Sequence, residues 1–207
     1  LEDVKELQPQ SVHVVQMECA PGDKEGKGKV EMKDLLHSTL RMRPDRIIIG
    51  EIRGGEALDL INAINTGHGG AMATIHASSP TQALQKLETL TLYSGFDLPL
   101  MAVRAMVAMA IEVVVQTNRY KDGSRKISNI GEVLSLNTDG SYNTKDIYKF
   151  EYDGVDAEKK VVGAVRWTGE LPTFVNDIKS QGVEWRESIF AANVPKCRLE
   201  TVKSKGH

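Results

Sequence analysis

Glu51 and His76 are the residues whose type and placement could best support chemistry in this chain. Glu51 follows a polar turn, Arg43-Pro44-Asp45-Arg46, and an apolar run, Ile47-Ile48-Ile49. Three β-branched residues bounded by turn signals read as a strand buried on both faces. In an open parallel sheet, ligands sit beyond the carboxyl ends of the strands, and Glu51 stands at such an end. A carboxylate there can hold a metal-bound water, or polarise one that attacks a phosphate. Residues 71–75 read as a second buried strand, which delivers His76 to its end. An imidazole can donate a hydrogen bond to a phosphate oxygen or to a carboxylate near it. A second histidine, His68, lies in the turn Thr66-Gly67-His68-Gly69-Gly70, whose glycines end a helix and permit close backbone approach. Zinc does not fit this pair: the two histidines lie on different elements with no cysteine near.

The elements that must position these groups follow from periodicity. Glu56 opens a helix with Ala57, Leu60, Ile61 and Ile64 on one face. Residues 30–42 carry Met32, Leu35, Leu36 and Leu40 at helical spacing, with Asp34 early and Arg41 late, an order that suits the helix dipole. Before them, residues 12–17 alternate like a strand, and 21–29 read as an exposed loop whose Lys24, Lys27 and Lys29 are solvated. Ser79 as N-cap and Pro80 at the first helical position start a helix over 80–93, with Ala83, Leu84, Leu87 and Leu90 inward. A further helix runs from Pro99 to Ala110, its methionines expected in the core. Residues 111–117 read as a strand. Beyond Arg119 the turns Asp122-Gly123 and Asp139-Gly140 divide an antiparallel meander. A run at 161–167 and a helix opened by 169–172 and ending at 181 follow. Residues 193–207 are polar and basic, without a period, and read as frayed.

Composition sets bounds. The chain has 207 residues, 41% of them apolar and 26% charged, which suits a globular domain with at most a small appendage. A net charge of -2 gives no general attraction to nucleic acid or anionic lipid. No apolar run reaches the roughly 18 residues that span a bilayer. The two cysteines, Cys19 and Cys197, form no metal-spaced motif and read as reduced thiols.

The segment RMRPDRIIIGEIRGGEAL, followed by NTGHGGAMATIHASSP, resembles the Walker B and His-box region of the secretion ATPase superfamily, which powers type II and type IV secretion and type IV pili. Its wording is most similar to the CpaF or TadA pilus-assembly ATPases. The resemblance implies an α/β fold: an incomplete RecA-like P-loop NTPase domain, mostly parallel sheet flanked by helices, with a C-terminal antiparallel meander. A phosphate-cradling GxxxxGK[ST] loop is absent from this sequence. The expectation is therefore a C-terminal portion of a longer ATPase, divided into 1–118 (Asp box, Walker B and His box), 119–192 (strands and a helix closing the domain) and a tail at 193–207.

The resemblance also assigns roles. Glu51 is the Walker B carboxylate and reaches Mg²⁺ indirectly, since Gly50 stands where the standard motif has Asp. Glu2, Asp3 and Glu6 belong, as a group, to an acidic box that activates water near the γ-phosphate of ATP. His76 senses that phosphate, and His68 with Gly67 shapes the site or a subunit contact. Arg41, Arg43 and Arg53 either stabilise phosphate charge, as an arginine finger does, or serve as helix-end charges and salt bridges. The implied whole is a homo-hexamer at the cytoplasmic face of the inner membrane, working on a membrane platform protein, with no nucleic-acid partner. Two other readings stand beside it: a type IV secretion or conjugation ATPase of the same superfamily, and a non-catalytic assembly module.

Overall fold

Apolar residues returning every third or fourth position build the helices that carry the site. Helix α1 (Met32–Leu40) buries Met32, Leu35, Leu36 and Thr39, and the Asp34 carboxylate accepts the Glu31 N–H at 2.9 Å to close its first turn. Helix α2 (Glu56–Asn65) buries Ala57, Leu58, Leu60, Ile61 and Ala63 and packs against α1 and α4 (Leu100–Ala110). Asn65 Nδ2 donates to the Met106 carbonyl at 3.2 Å across the second of these contacts. Helix α3 (Pro80–Leu92) lies between α2 and α4 in sequence and buries Ala83, Leu84, Leu87 and Leu90. Leu36, Ile49, Leu60, Ile61, Leu84, Val103 and Val107 are wholly enclosed. At about 1.5–3 kcal/mol each, their burial is the main term holding these elements together.

The computed structural model describes residues 1–183, which fall into two units. The first comprises Leu1–Ala77, Thr81–Ile111 and Ser135–Tyr142. Its sheet pairs β1 (Ile48–Ile49) with β2 (Met72–Ala73) in parallel, Ile48 opposite Met72. Main-chain bonds extend that ladder beyond the two strands. Leu1 nitrogen donates to the Ile48 carbonyl at 2.7 Å, and Gly50 N–H to the Leu1 carbonyl at 2.8 Å. On its other side, Glu2 bridges Glu18 in parallel.

The second unit holds an antiparallel sheet in the order β3-β4-β5-β6. Its strands are β3 (Val113–Arg119), β4 (Arg125–Leu134), β5 (Asn143–Val155) and β6 (Val161–Trp167), followed by α5 (Val175–Ser180). A buried carboxylate fastens it. Glu132 Oε1 accepts the Thr173 N–H at 2.8 Å, and Oε2 pairs with Lys145 Nζ at 3.2 Å. These contacts outweigh burial, which alone would raise the Glu132 pKa, and hold it below the usual carboxylate value.

The structure corrects several expectations. The larger sheet is the antiparallel one, and the parallel sheet has two strands among the described residues. The anticipated buried strand at 71–75 reduces to Met72–Ala73, and both residues are exposed, because nothing among the described residues packs over them. Residues 12–17 form no strand, and Val12, Val14 and Val15 stay exposed. In α4 the core positions are Val103, Val107 and Ala110, while Met101 and Met109 lie on the open side. The 169–181 helix shortens to α5. The tail at 193–207, and Cys197 with it, lies outside the described residues.

Candidate functional site

Parallel pairing of β1 and β2 brings the residues that follow them to one edge. Two residues past Ile49, Glu51 presents its carboxylate; three past Ala73, His76 presents its ring. Their closest atoms, Glu51 Oε1 and His76 Nε2, are 3.2 Å apart. The ladder continues to hold the backbone here, since Ile52 N–H donates to the Thr74 carbonyl at 3.0 Å. The Thr74 hydroxyl donates in turn to the Gly50 carbonyl.

Arg53 grips the other oxygen of the same carboxylate. Its Nε donates to Glu51 Oε2 at 2.8 Å, with a second bond from the terminal nitrogen. Its remaining guanidinium nitrogen reaches Asp3 Oδ2 at 3.3 Å. One arginine thus spans two carboxylates, a use that its rigid planar fork allows and a lysine could not copy. The Arg53 hydrogen bonds hold the Glu51 pKa below the usual value; burial opposes this, and the charges of Arg53, His76 and Lys86 add to it. Glu51 is thus ionised at neutral pH, 19% exposed, while His76 is 82% exposed and open to a ligand.

The strand end is shaped by two close approaches. A Cβ on Gly50 would stand 2.9 Å from Glu2 Cγ, so a side chain at this position would displace Glu2. A Cβ on Gly55 would meet the Ser94 backbone at 3.0 Å, which fixes the start of α2 against the end of α3. Glu56 Oε1 accepts the N–H groups of Arg53 and Gly54 at 2.7 and 2.8 Å, tying the Glu51–Arg53 turn to α2.

The acidic trio separates. Asp3 joins the Arg53 cluster, and its hydrogen bond to Cys19 together with burial, the larger effect, pushes that thiol up to about 11. Glu6 contributes charge beside Arg53. Glu2 is buried, and its Oε1 accepts the N–H groups of Glu6 and Leu7 at 3.0 and 2.9 Å. It folds the acidic loop back on itself, and this is the arrangement of a structural cap.

The other sequence candidates occupy separate places. Arg41 is the C-cap of α1. Arg43 adopts a left-handed conformation, φ 53°, and lines a cavity of about 370 Å³ with Leu7, Met17, Met42, Arg46 and Ile47. Gly67 and His68 close the C-terminus of α2, their N–H groups bonded to the Ile64 and Ala63 carbonyls. His68 Nδ1 is buried without a hydrogen-bond partner.

Sequence reading overlooked two sets of residues. Lys86 of α3 donates from Nζ to the His76 main-chain carbonyl at 3.0 Å. It stands on the polar side of an amphipathic helix, and no spacing marks it. Glu88, buried in the same helix, takes Arg104 Nε at 2.8 Å, Arg104 through a second nitrogen at 3.1 Å and the Tyr142 hydroxyl at 3.0 Å. Arg104 also donates to the Gly140 carbonyl at 3.1 Å, so α3, α4 and the 135–142 segment share one polar knot.

Residues 1–135 match the family described as type II/IV secretion system protein. The conjugal transfer protein TrbB of Rhizobium radiobacter is 34% identical over 155 residues, 74% of this chain and 43% of that protein. The type IV secretion system protein VirB11 of Bartonella quintana is 37% identical over 135 residues, 63% of this chain and 36% of that protein. The chain thus spans less than half the length of either. Among solved structures, the VirB11 ATPase of the Brucella suis type IV secretion system is 36% identical, with TM-score 0.45 over 47% of this chain and 32% of that one. With the match running through Glu51, His76 and Lys86, the chain belongs to the type II/IV secretion system protein family.

Proposed function

We propose that this chain supplies the hydrolytic edge of a secretion ATPase: Glu51 polarises the water that attacks the γ-phosphate of ATP, and His76 contacts that phosphate. The observation that carries the reading is the Glu51–His76 pair, an ionised carboxylate and an exposed imidazole at the ends of adjacent parallel strands. Phosphoryl transfer to water needs positioning and charge stabilisation more than covalent chemistry, and this pair is suited to both. Arg53 orients Glu51 and keeps it charged. Asp3 is the member of the acidic box best placed to assist, since Arg53 joins it to Glu51. Arg41, Arg43, His68 and Gly67 are left to subunit contacts or to the shape of the nucleotide pocket.

Magnesium bound with the nucleotide supplies charge neutralisation at the phosphates. One carboxylate plus waters and phosphate oxygens is an ordinary Mg²⁺ environment, and Glu51 fits it through water. No group of three or more His, Cys, Asp or Glu that could hold a metal by itself exists among the described residues.

The relatives, a conjugal transfer protein and a type IV secretion system protein, favour that branch over the CpaF or TadA pilus-assembly branch that the segment around Glu51 resembles. A homo-hexamer peripheral to the inner membrane, acting on a platform protein, completes the reading. Among the described residues no helix is long and apolar enough to cross a membrane.

The test is steady-state ATP hydrolysis by the full-length protein, with Glu51→Gln and His76→Gln alongside. Each substitution is expected to lower kcat by about a hundredfold. Wild-type turnover in both variants would overturn the assignment.

A further inference from the structure

We infer that Lys86 is a positioning residue for the Glu51–His76 pair, holding the main chain of His76 in place and adding a fixed positive charge beside Glu51. The inference rests on the hydrolytic reading of that pair and adds a residue to it.

The geometry requires such a support. Strand β2 ends at Ala73, so His76 lies beyond the paired segment. Its ring is 82% exposed, which leaves packing little hold on it. An exposed side chain on an unpaired backbone would sample many rotamers, and a contact of 3.2 Å would be only one of them. Lys86 acts on the backbone. Its ammonium donates to the His76 carbonyl at 3.0 Å, across ten residues of sequence, from the second turn of α3. That helix is itself anchored by buried Leu84 and Leu87 on either side of Lys86. A rigid helix is thereby tied to the segment that ends β2.

Charge adds a second role. Lys86 is among the groups that favour the ionised form of Glu51, after Arg53. The groups facing this carboxylate are Arg53 from its own strand end, His76 from the end of β2 and Lys86 from α3, with Asp3 on the far side of Arg53. An ammonium has three donors, and the bond to the His76 carbonyl uses one. Lysine thus supports the backbone and still carries its full charge.

The test separates support from direct nucleotide contact. The ring ¹H–¹⁵N resonances of His76, assigned with His76→Gln, are followed in the nucleotide-free chain while Glu51 is changed to Gln. In the wild-type background that change moves the His76 resonances. With Lys86→Met the movement should shrink about threefold, and with Lys86→Arg it should be retained. Amide spectra report the fold, and Lys86→Gln replaces Lys86→Met if the latter does not fold. In the full-length protein, kcat should fall about tenfold at unchanged KM for Lys86→Met and recover in Lys86→Arg. An undiminished ring response in Lys86→Met overturns the inference, and so does a raised KM at unchanged kcat, which would make Lys86 a nucleotide ligand. If the wild type hydrolyses no ATP, the hydrolytic reading fails and the ring response alone decides the role of Lys86.

Discussion

Glu51 Oε1 and His76 Nε2 stand 3.2 Å apart, carried there by two parallel strands whose paired portions are only two residues long. So short a ladder fixes the two groups because its neighbours extend it: Leu1 on one side of β1, and the Ile52–Thr74 bond past the strand ends. Replacing Glu51 with Gln keeps the shape and removes the charge. Nucleotide affinity should stay within about threefold of wild type, while the chemical step slows by about a hundredfold. Equilibrium binding and single-turnover hydrolysis in the full-length protein separate the two.

Arg53 should set the acid limb of activity. It is the largest influence holding the Glu51 pKa below the usual carboxylate value. Without it that pKa rises, so the ionised form needed to polarise water is lost at a higher pH. Arg53→Ala is expected to move the acid limb of the kcat profile upward, and Arg53→Lys to restore it only in part, because an ammonium cannot span Glu51 and Asp3 as the guanidinium does. An unmoved acid limb in Arg53→Ala would refute the role.

The Glu88–Arg104–Tyr142 knot predicts a stability effect away from the chemistry. Glu88→Ala leaves Arg104, 23% exposed, without its carboxylate, and should cost about 3 kcal/mol. Tyr142→Phe removes one hydrogen bond to Glu88 and should cost about 1 kcal/mol. Urea unfolding curves give both values, and the double variant should lose less than the sum, because the residues share partners.

In the second unit, Asp122 predicts a pH dependence. Its Oδ2 accepts the Val161 N–H at 2.7 Å and its Oδ1 the Ser124 hydroxyl at 2.7 Å, and these bonds lower its pKa from 3.8 to about 2. A depressed carboxylate stabilises the fold fully above its unfolded pKa and loses that contribution as pH falls through the folded value. Asp122→Asn should therefore be less stable than wild type at pH 7. The difference should narrow between about pH 4 and about pH 2. Thermal unfolding of the two proteins across that window checks it.

Much of the site was readable because it is written locally. Ile47, Ile48 and Ile49 before Glu51, and the helical spacing of Leu60, Ile61 and Leu84, are short-range patterns that map directly onto β1, α2 and α3. Three antiparallel strands were likewise legible from the Asp122-Gly123 and Asp139-Gly140 turns, and the run at 161–167 adds the fourth. What escaped depends on partners distant in sequence. Lys86 looks like any solvated lysine until β2 brings the His76 carbonyl to it. Glu88 looks like a surface acid until Arg104 and Tyr142 close over it. Glu2 could not be told from Asp3 by composition, since the difference is which way the chain turns at Leu7. The alternation at 12–17 misled for the same reason: periodicity marks a face, and only a neighbour makes that face a strand.

The most direct test of the Glu51–His76 assignment is a crystal structure of the full-length protein with a non-hydrolysable ATP analogue and Mg²⁺. The account predicts a γ-phosphate oxygen within about 3.2 Å of His76 Nε2 and a water between that phosphate and Glu51. A γ-phosphate that contacts neither residue, with Glu51 and His76 still paired only to each other, would contradict it.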